Sequence, residues 1–237
     1  MKKKAQIEQW LSELVNRLHN SFGSRLLLVV HVGSWARDDA NEQSDIDMNV
    51  VLDRVTTSDI AIYRSVIANM PIRELACGFL GGLNEIRLWP RYDLVCFYYG
   101  SKVYYGSVED VIGPISQKDI FDSAMIMVSN LNHGVRHAMI YEKIDTDTAN
   151  SMKALYKAAF FILQYWYLLV HGEYVPKRKL LAKKAVSIED RLILENYDNW
   201  EENEQAREEN PIETLMMLEH WSSGMFFRLE EIRDRLS

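Results

Sequence analysis

The sequence predicts an α+β chain in which a sheet flanked by helices comes first and an all-helical half follows. Two short apolar runs rich in β-branched residues, 26–32 and 46–52, read as strands. Helical stretches alternate with them over the first 110 or so residues, which is the pattern of a sheet with helices packed on it. Beyond Gly113-Pro114 the apolar residues recur at helical spacing over 120–141 and 152–170, with few β-branched clusters to interrupt them. A length of 237 residues suits two compact units, and the change of character divides the chain into 1–112 and 113–237.

Each element has its own signal. Ile7, Trp10, Leu11, Leu14, Val15 and Leu18 fall at helical spacing and predict a helix over 3–20, stopped near Gly23, which takes a left-handed cap without strain. The run 26–32 is apolar but for His31, as a strand buried on both faces would be, and it ends at Gly33-Ser34. A polar stretch from 37 to 44 follows, and then 46–52, whose side chains alternate across two faces. A helix is expected over 60–68 and a third strand over 91–99. In the second half, further helices are expected over 188–197 and 212–236. The acidic stretch 199–210 between them, ahead of Pro211, reads as a solvated loop or a fringe of helix.

Hydrophobic residues make up 48% of the chain and charged residues 26%, which is ordinary globular composition and excludes disorder as an explanation. The formal net charge of −7 disfavours nucleic acid as a partner, since that binding mode wants a surplus of Lys and Arg; it favours small cationic ligands instead. Cys77 and Cys96 sit among apolar neighbours and read as small buried thiols, with neither metal-ligand spacing nor a disulfide framework. The lysines after Met1 lead into a periodic helix rather than an unbroken apolar stretch, so no signal peptide is expected. No window is long and apolar enough for a membrane span, and a cytoplasmic location is the expectation. A homodimer is a further expectation, without a sequence signal of its own.

The chemistry-bearing pattern is Gly33-Ser34 followed by Ser44-Asp45-Ile46-Asp47. Asp45 and Asp47 stand two positions apart at the start of a strand, so their carboxylates share one face with about 6.5 Å between Cα atoms. Two like charges so placed repel unless a cation neutralises them. Mg²⁺ suits such a pair, because it takes hard oxygen ligands and completes its shell with water and substrate phosphates. Gly33 lets backbone N–H groups approach a phosphate, Ser34 adds a hydroxyl donor, and Arg37 lies one turn further on, within reach of the same anion or of the acidic pair.

This arrangement resembles the nucleotidyltransferase superfamily that includes DNA polymerase beta. Its motif of a hydrophobic residue, Gly-Ser, a spacer and Asp-hydrophobic-Asp-hydrophobic stands here as Val32-Gly33-Ser34 and Asp45-Ile46-Asp47-Met48. The resemblance implies a mixed sheet with three carboxylates, two on one strand and a third on a neighbouring strand, holding one or two Mg²⁺ ions. By position the third is Asp93, as metal ligand or general base, with Glu85 and Glu74 as competitors. In the second half, Tyr167-Leu168-Leu169-Val170-His171-Gly172-Glu173-Tyr174-Val175-Pro176-Lys177 resembles a turn in the helical domain of streptomycin-type aminoglycoside adenylyltransferases, where substrates bind between a nucleotidyltransferase domain and a helical bundle.

The activity so implied is transfer of a nucleoside monophosphate, AMP from ATP or from another nucleoside triphosphate, to a hydroxyl of a small molecule, with an aminoglycoside-like antibiotic as first acceptor. The alternatives are modification of a protein or tRNA, and a nucleotide-binding module without turnover. The triphosphate needs further cations. Lys153 and Lys157, four apart on one helix face, and Lys177 after Pro176 are the candidates, with Lys157 and Lys177 preferred.

Overall fold

The computed structural model describes residues 2–40, 44–184, 187–233 and 235; the middle of the polar spacer, 41–43, lies outside the described residues. The chain divides into two compact units, Met1–Ile115 and Ser116–Ser237.

In the first unit the elements run α1 (Lys2–Phe22), β1 (Leu26–Val32), α2 (Gly33–Arg37), β2 (Ile46–Leu52), α3 (Thr57–Ala68), β3 (Ala76–Gly82), α4 (Leu83–Arg87), α5 (Leu94–Tyr99), β4 (Lys102–Gly106) and α6 (Val108–Ile112). Among the described residues the strands form one sheet in the order β3-β2-β1-β4. β1 runs antiparallel to both β2 and β4, while β2 and β3 are parallel, so the sheet is mixed.

The pleat sends alternate side chains to two cores. Val29, Ile46, Met48, Val50 and Leu52 pack with Trp10, Leu11, Leu14 and Leu18 of α1. Leu28, Val30 and Val51 pack on the opposite face with Ile86, Leu94, Phe97 and Val111 from the short helices α4 to α6. Thr56 and Asp59 close a capping box on α3. Arg25 grips both oxygens of the buried Asp59, at 2.7 and 3.0 Å, and holds that carboxyl well below the usual carboxylate range.

Three expectations need correction. Residues 91–99 are not a strand: Arg91–Asp93 is a 3-10 turn and Leu94–Tyr99 is α5. Leu94, Val95 and Phe97 are buried while Cys96 is exposed, a one-sided helical burial that so short an apolar run does not distinguish from strand alternation. The sheet's outer strands are instead β3, whose three glycines argue against a strand on propensity alone, and β4. Gly78 of β3 is where a side chain would strike the Met48 carbonyl oxygen, at 1.6 Å, so a residue poor in strand propensity is here a packing requirement. Cys77 and Cys96, expected to be buried, are both exposed.

The second unit is helical among the described residues: α7 (Gln117–Tyr141), α8 (Thr146–Ser151), α9 (Lys153–His171), α10 (Arg178–Lys184), α11 (Ile188–Asp198), α12 (Glu204–Glu209) and α13 (Pro211–Arg233). α7 packs on α9 and α13 around Val128, Leu131, Val135, Phe160, Leu163 and Leu218. α12 occupies part of the acidic stretch expected to be loop or helix fringe. Asp190 is fully buried, and it accepts from the Trp221 indole at 2.9 Å and from both terminal nitrogens of Arg228 at 2.6 and 2.9 Å, so α11 and α13 are tied by a satisfied charge. No described helix is long and apolar enough to cross a membrane.

Candidate active site

The site begins with strand pairing. Val32 at the end of β1 lies opposite Asp47 in β2, which brings the residue after Val32 beside the Asp47 carboxylate. That residue is Gly33, with a positive φ of 76°. A Cβ built there would lie 2.0 Å from Asp47 Oδ2. The carboxylate therefore rests in the notch left by the missing side chain, and any other residue at 33 would displace it or shift the backbone. The chain then turns into the five-residue α2, which carries Ser34 and Arg37, both half-buried.

The second half of the motif is fastened to the first. Trp35 of α2 packs against the α1 core, and its indole N–H donates to the Ser44 carbonyl at 3.1 Å. This bond spans the polar spacer and fixes the chain just before Asp45. Asp45 is exposed and Asp47 half-buried. Two residues beyond Asp47 is Asn49 and two beyond that Val51, which packs among Leu28, Val30, Ile86 and Phe97; the pair therefore projects on the α4–α6 face of the sheet. Gly33, Ser34, Arg37, Ser44, Asp45 and Asp47 all fall in this one neighbourhood of β1, α2 and β2.

The donor set fits Mg²⁺. Two carboxylate groups sharing one face, with a glycine notch under one of them and open surface at the other, is the coordination that ion accepts when phosphates and water supply the rest. Among the described residues no group of three His, Cys, Asp or Glu side chains gathers that could hold an ion.

A third carboxylate on a neighbouring strand is where the sequence expectation departs from the structure. β1 reads Leu-Leu-Leu-Val-Val-His-Val and β3 reads Ala-Cys-Gly-Phe-Leu-Gly-Gly, so neither carries one. The β3 residue in register with Asp47 is Cys77. Phe79, two positions on, packs against the same core as Val51, so strand alternation puts Cys77 on the face of Asp47. Sequence reasoning took this residue for a small buried thiol and did not place it beside the carboxylates; the signal that could have done so was the apolar Leu75 to Leu80 run read as a strand despite its glycine.

Asp93 lies outside the sheet, exposed at the last position of the turn before α5, and Leu94 and Phe97 of that helix pack under the same face of the sheet. Glu85 accepts from the Gly82 N–H at 2.8 Å and so caps α4, while Glu74 is exposed in the 3-10 turn ahead of β3. Lys157 on α9 and Lys177 before α10 are exposed and belong to the second unit; Lys153 pairs with Glu201.

Comparison with known proteins bears on this geometry. Residues 11–105 match the protein-family model described as a nucleotidyltransferase domain, and that span contains the whole Gly33 to Asp47 neighbourhood. The first unit carries a nucleotidyltransferase domain. Among solved structures the chain is similar to a spectinomycin adenyltransferase from Enterococcus faecialis, determined with ATP and spectinomycin. The identity is 16%, the TM-score 0.52, and the match covers 94% of this chain and 99% of that one. At that identity the likeness is one of fold, and it extends beyond the nucleotidyltransferase domain into the helical unit. Comparison with curated proteins gave no match. The antiparallel β1–β2 pair and the Gly33–Asp47 contact lie within the matched span, and nucleoside monophosphate transfer is the reaction class of such a domain.

Proposed function

We propose that the chain transfers AMP from ATP to a hydroxyl of a small molecule, with a cationic, aminoglycoside-like compound as the first acceptor. The observation that carries the reading is the Asp47 carboxylate seated in the Gly33 notch. A nucleotidyl transfer asks the protein chiefly for positioning and charge neutralisation, and this contact fixes a metal-binding oxygen against the backbone that would meet the phosphates. Two features support the acceptor: the net charge of −7, which attracts cations, and the fold shared with an adenyltransferase determined with ATP and spectinomycin.

In the reaction the acceptor oxygen forms a bond to the α-phosphorus, the bond from that phosphorus to the bridging oxygen breaks, and pyrophosphate leaves. Asp45 and Asp47 are the residues to hold Mg²⁺, which when bound would neutralise the phosphate charge and polarise the attacking hydroxyl. The Ser34 hydroxyl donates to a phosphate oxygen, Ser44 is a further nucleotide-binding residue, and Arg37 balances the triphosphate charge. Asp93 is the proposed third carboxylate, receiving the proton of the acceptor hydroxyl or completing the metal shell. The helical unit is proposed to select the acceptor, with Lys157 or Lys177 on the β- and γ-phosphates.

The test is transfer of label from α-phosphorus-labelled ATP, with Mg²⁺, to a panel of aminoglycosides, spectinomycin, a lincosamide, tRNA and cell lysate, with Asp47→Ala as control. Label on a small molecule in the wild type alone supports the reading; label on protein or RNA replaces the acceptor. Cys77 in the place opposite Asp47 favours, as a second reading, nucleotide binding without turnover; nucleotide bound under every condition with no label moved would select it. Transfer that survives Asp47→Ala would overturn the site.

A further inference from the structure

Behind β1, on the sheet face away from Asp47, a cavity of about 240 Å³ is lined by Lys4, Ile7 and Glu8 of α1, His31 of β1, Trp35, Ala36 and Asp38 at α2, and Lys102 and Tyr104 of β4. Its inner wall carries polar groups that the fold leaves unanswered. His31 is 3% exposed and its Nε2 has no hydrogen-bond partner. The Tyr104 hydroxyl is likewise buried without a hydrogen-bond partner, although Lys102, whose charged form Glu8 chiefly favours, lies close to the phenol. The two rings meet edge to face with centroids 6.2 Å apart. A buried donor or acceptor without a partner is costly, and a polar cavity beside two of them is a place where a partner binds.

The rim says what kind of partner. Lys102 Nζ lies 2.9 Å from Glu8 Oε1, and Lys4 pairs with Asp38. Two ammonium and two carboxylate groups therefore surround the opening with no net charge, and a simple anion or cation would meet as much repulsion as attraction. Both pairs are partly exposed, with each side chain between 31% and 49% accessible, so water already screens them and they can be exchanged for a ligand's charges. A molecule bearing a carboxylate and an ammonium close together satisfies all four at once. We propose that this cavity binds a small zwitterion of amino-acid size, whose polar side group reaches His31 Nε2 and the Tyr104 hydroxyl. Its wall on one side is Trp35, the residue whose indole N–H holds Ser44, so the site lies back to back with the nucleotide site without sharing its carboxylates.

The experiment is calorimetric titration of the full chain with the common free L-amino acids, each separately, and with acetate and ethylammonium as single-charge probes. The proposal expects saturable binding of at least one amino acid, at least tenfold weaker binding of both single-charge probes, and at least a tenfold loss in His31→Phe with Asp47→Asn unaffected. Nitrogen-15 NMR of the His31 imidazole in the wild type gives a second readout that does not depend on the variant folding; its resonance shifts on saturation with the bound amino acid. No binding by any amino acid, equal binding by acetate or ethylammonium, or an unmoved His31 resonance would overturn it.

Discussion

At Gly33 one missing Cβ decides whether the Asp47 carboxylate has a place to sit. Gly33→Ala puts a methyl carbon 2.0 Å from Asp47 Oδ2 and an alanine at a φ of 76°. The expected outcome is a fall of about a hundredfold or more in nucleotidyl transfer, the scale of a misplaced reacting group, with a stability loss of only about 1–3 kcal/mol. Steady-state kinetics alongside urea unfolding separates the two. This contact was half legible in the sequence: Gly-Ser and Asp-Ile-Asp announce themselves by spacing, but that Gly33 makes room for the Asp47 carboxylate depends on the register Val32 opposite Asp47. His31 makes a second prediction at this scale. Burial, then the Lys102 ammonium, push its pKa from the ordinary 6.5 down to about 4. Between those values the unfolded chain takes up a proton that the folded chain refuses, so this contribution is complete above about pH 6.5 and is lost as the pH falls towards 4. The loss amounts to up to about 3 kcal/mol. Urea midpoints at pH 7.5 and 4.5 should differ by more in the wild type than in His31→Gln.

Among the elements, β1 and β2 were readable because burial on both faces of β1 and alternation over the first five residues of β2 leave plain apolar signatures. β3 was not. Its glycines suit the close approach of Gly78 to the Met48 carbonyl, a tertiary demand that overrides propensity, and the apolar residues of α5 filled the vacancy in the sequence reading. The helical elements fared better, and Gly172, in the left-handed conformation with φ 69°, ends α9 as its place after His171 suggests. The strand now known to flank β2 carries Cys77 opposite Asp47. Cys77→Asp would add a third carboxylate to that face. Without divalent metal the crowded like charges should lower the unfolding midpoint, and Mg²⁺ should restore it by more than it stabilises the wild type. A midpoint that responds equally to Mg²⁺ in both proteins would place Cys77 away from the metal site.

For the whole molecule, a division of labour is proposed between the two units: the first, which carries the nucleotidyltransferase domain, would hold the residues of α-phosphate chemistry, and the second, built on α7, α9 and α13, would choose the acceptor. The order of the two was legible in the shift from β-branched runs to helical spacing near Gly113-Pro114. The acceptor was not, because a short turn after α9 and a net negative charge constrain only its class. The central claim therefore concerns the first unit, and equilibrium binding tests it without knowledge of the acceptor. ATP titrated calorimetrically into wild type and Asp47→Asn, each with and without Mg²⁺, isolates the coupling between metal and carboxylate. The account predicts that Mg²⁺ tightens ATP binding to the wild type at least tenfold, about 1.4 kcal/mol, and that Asp47→Asn abolishes this gain while leaving metal-free binding within about threefold. An equal Mg²⁺ dependence in the two proteins would contradict it.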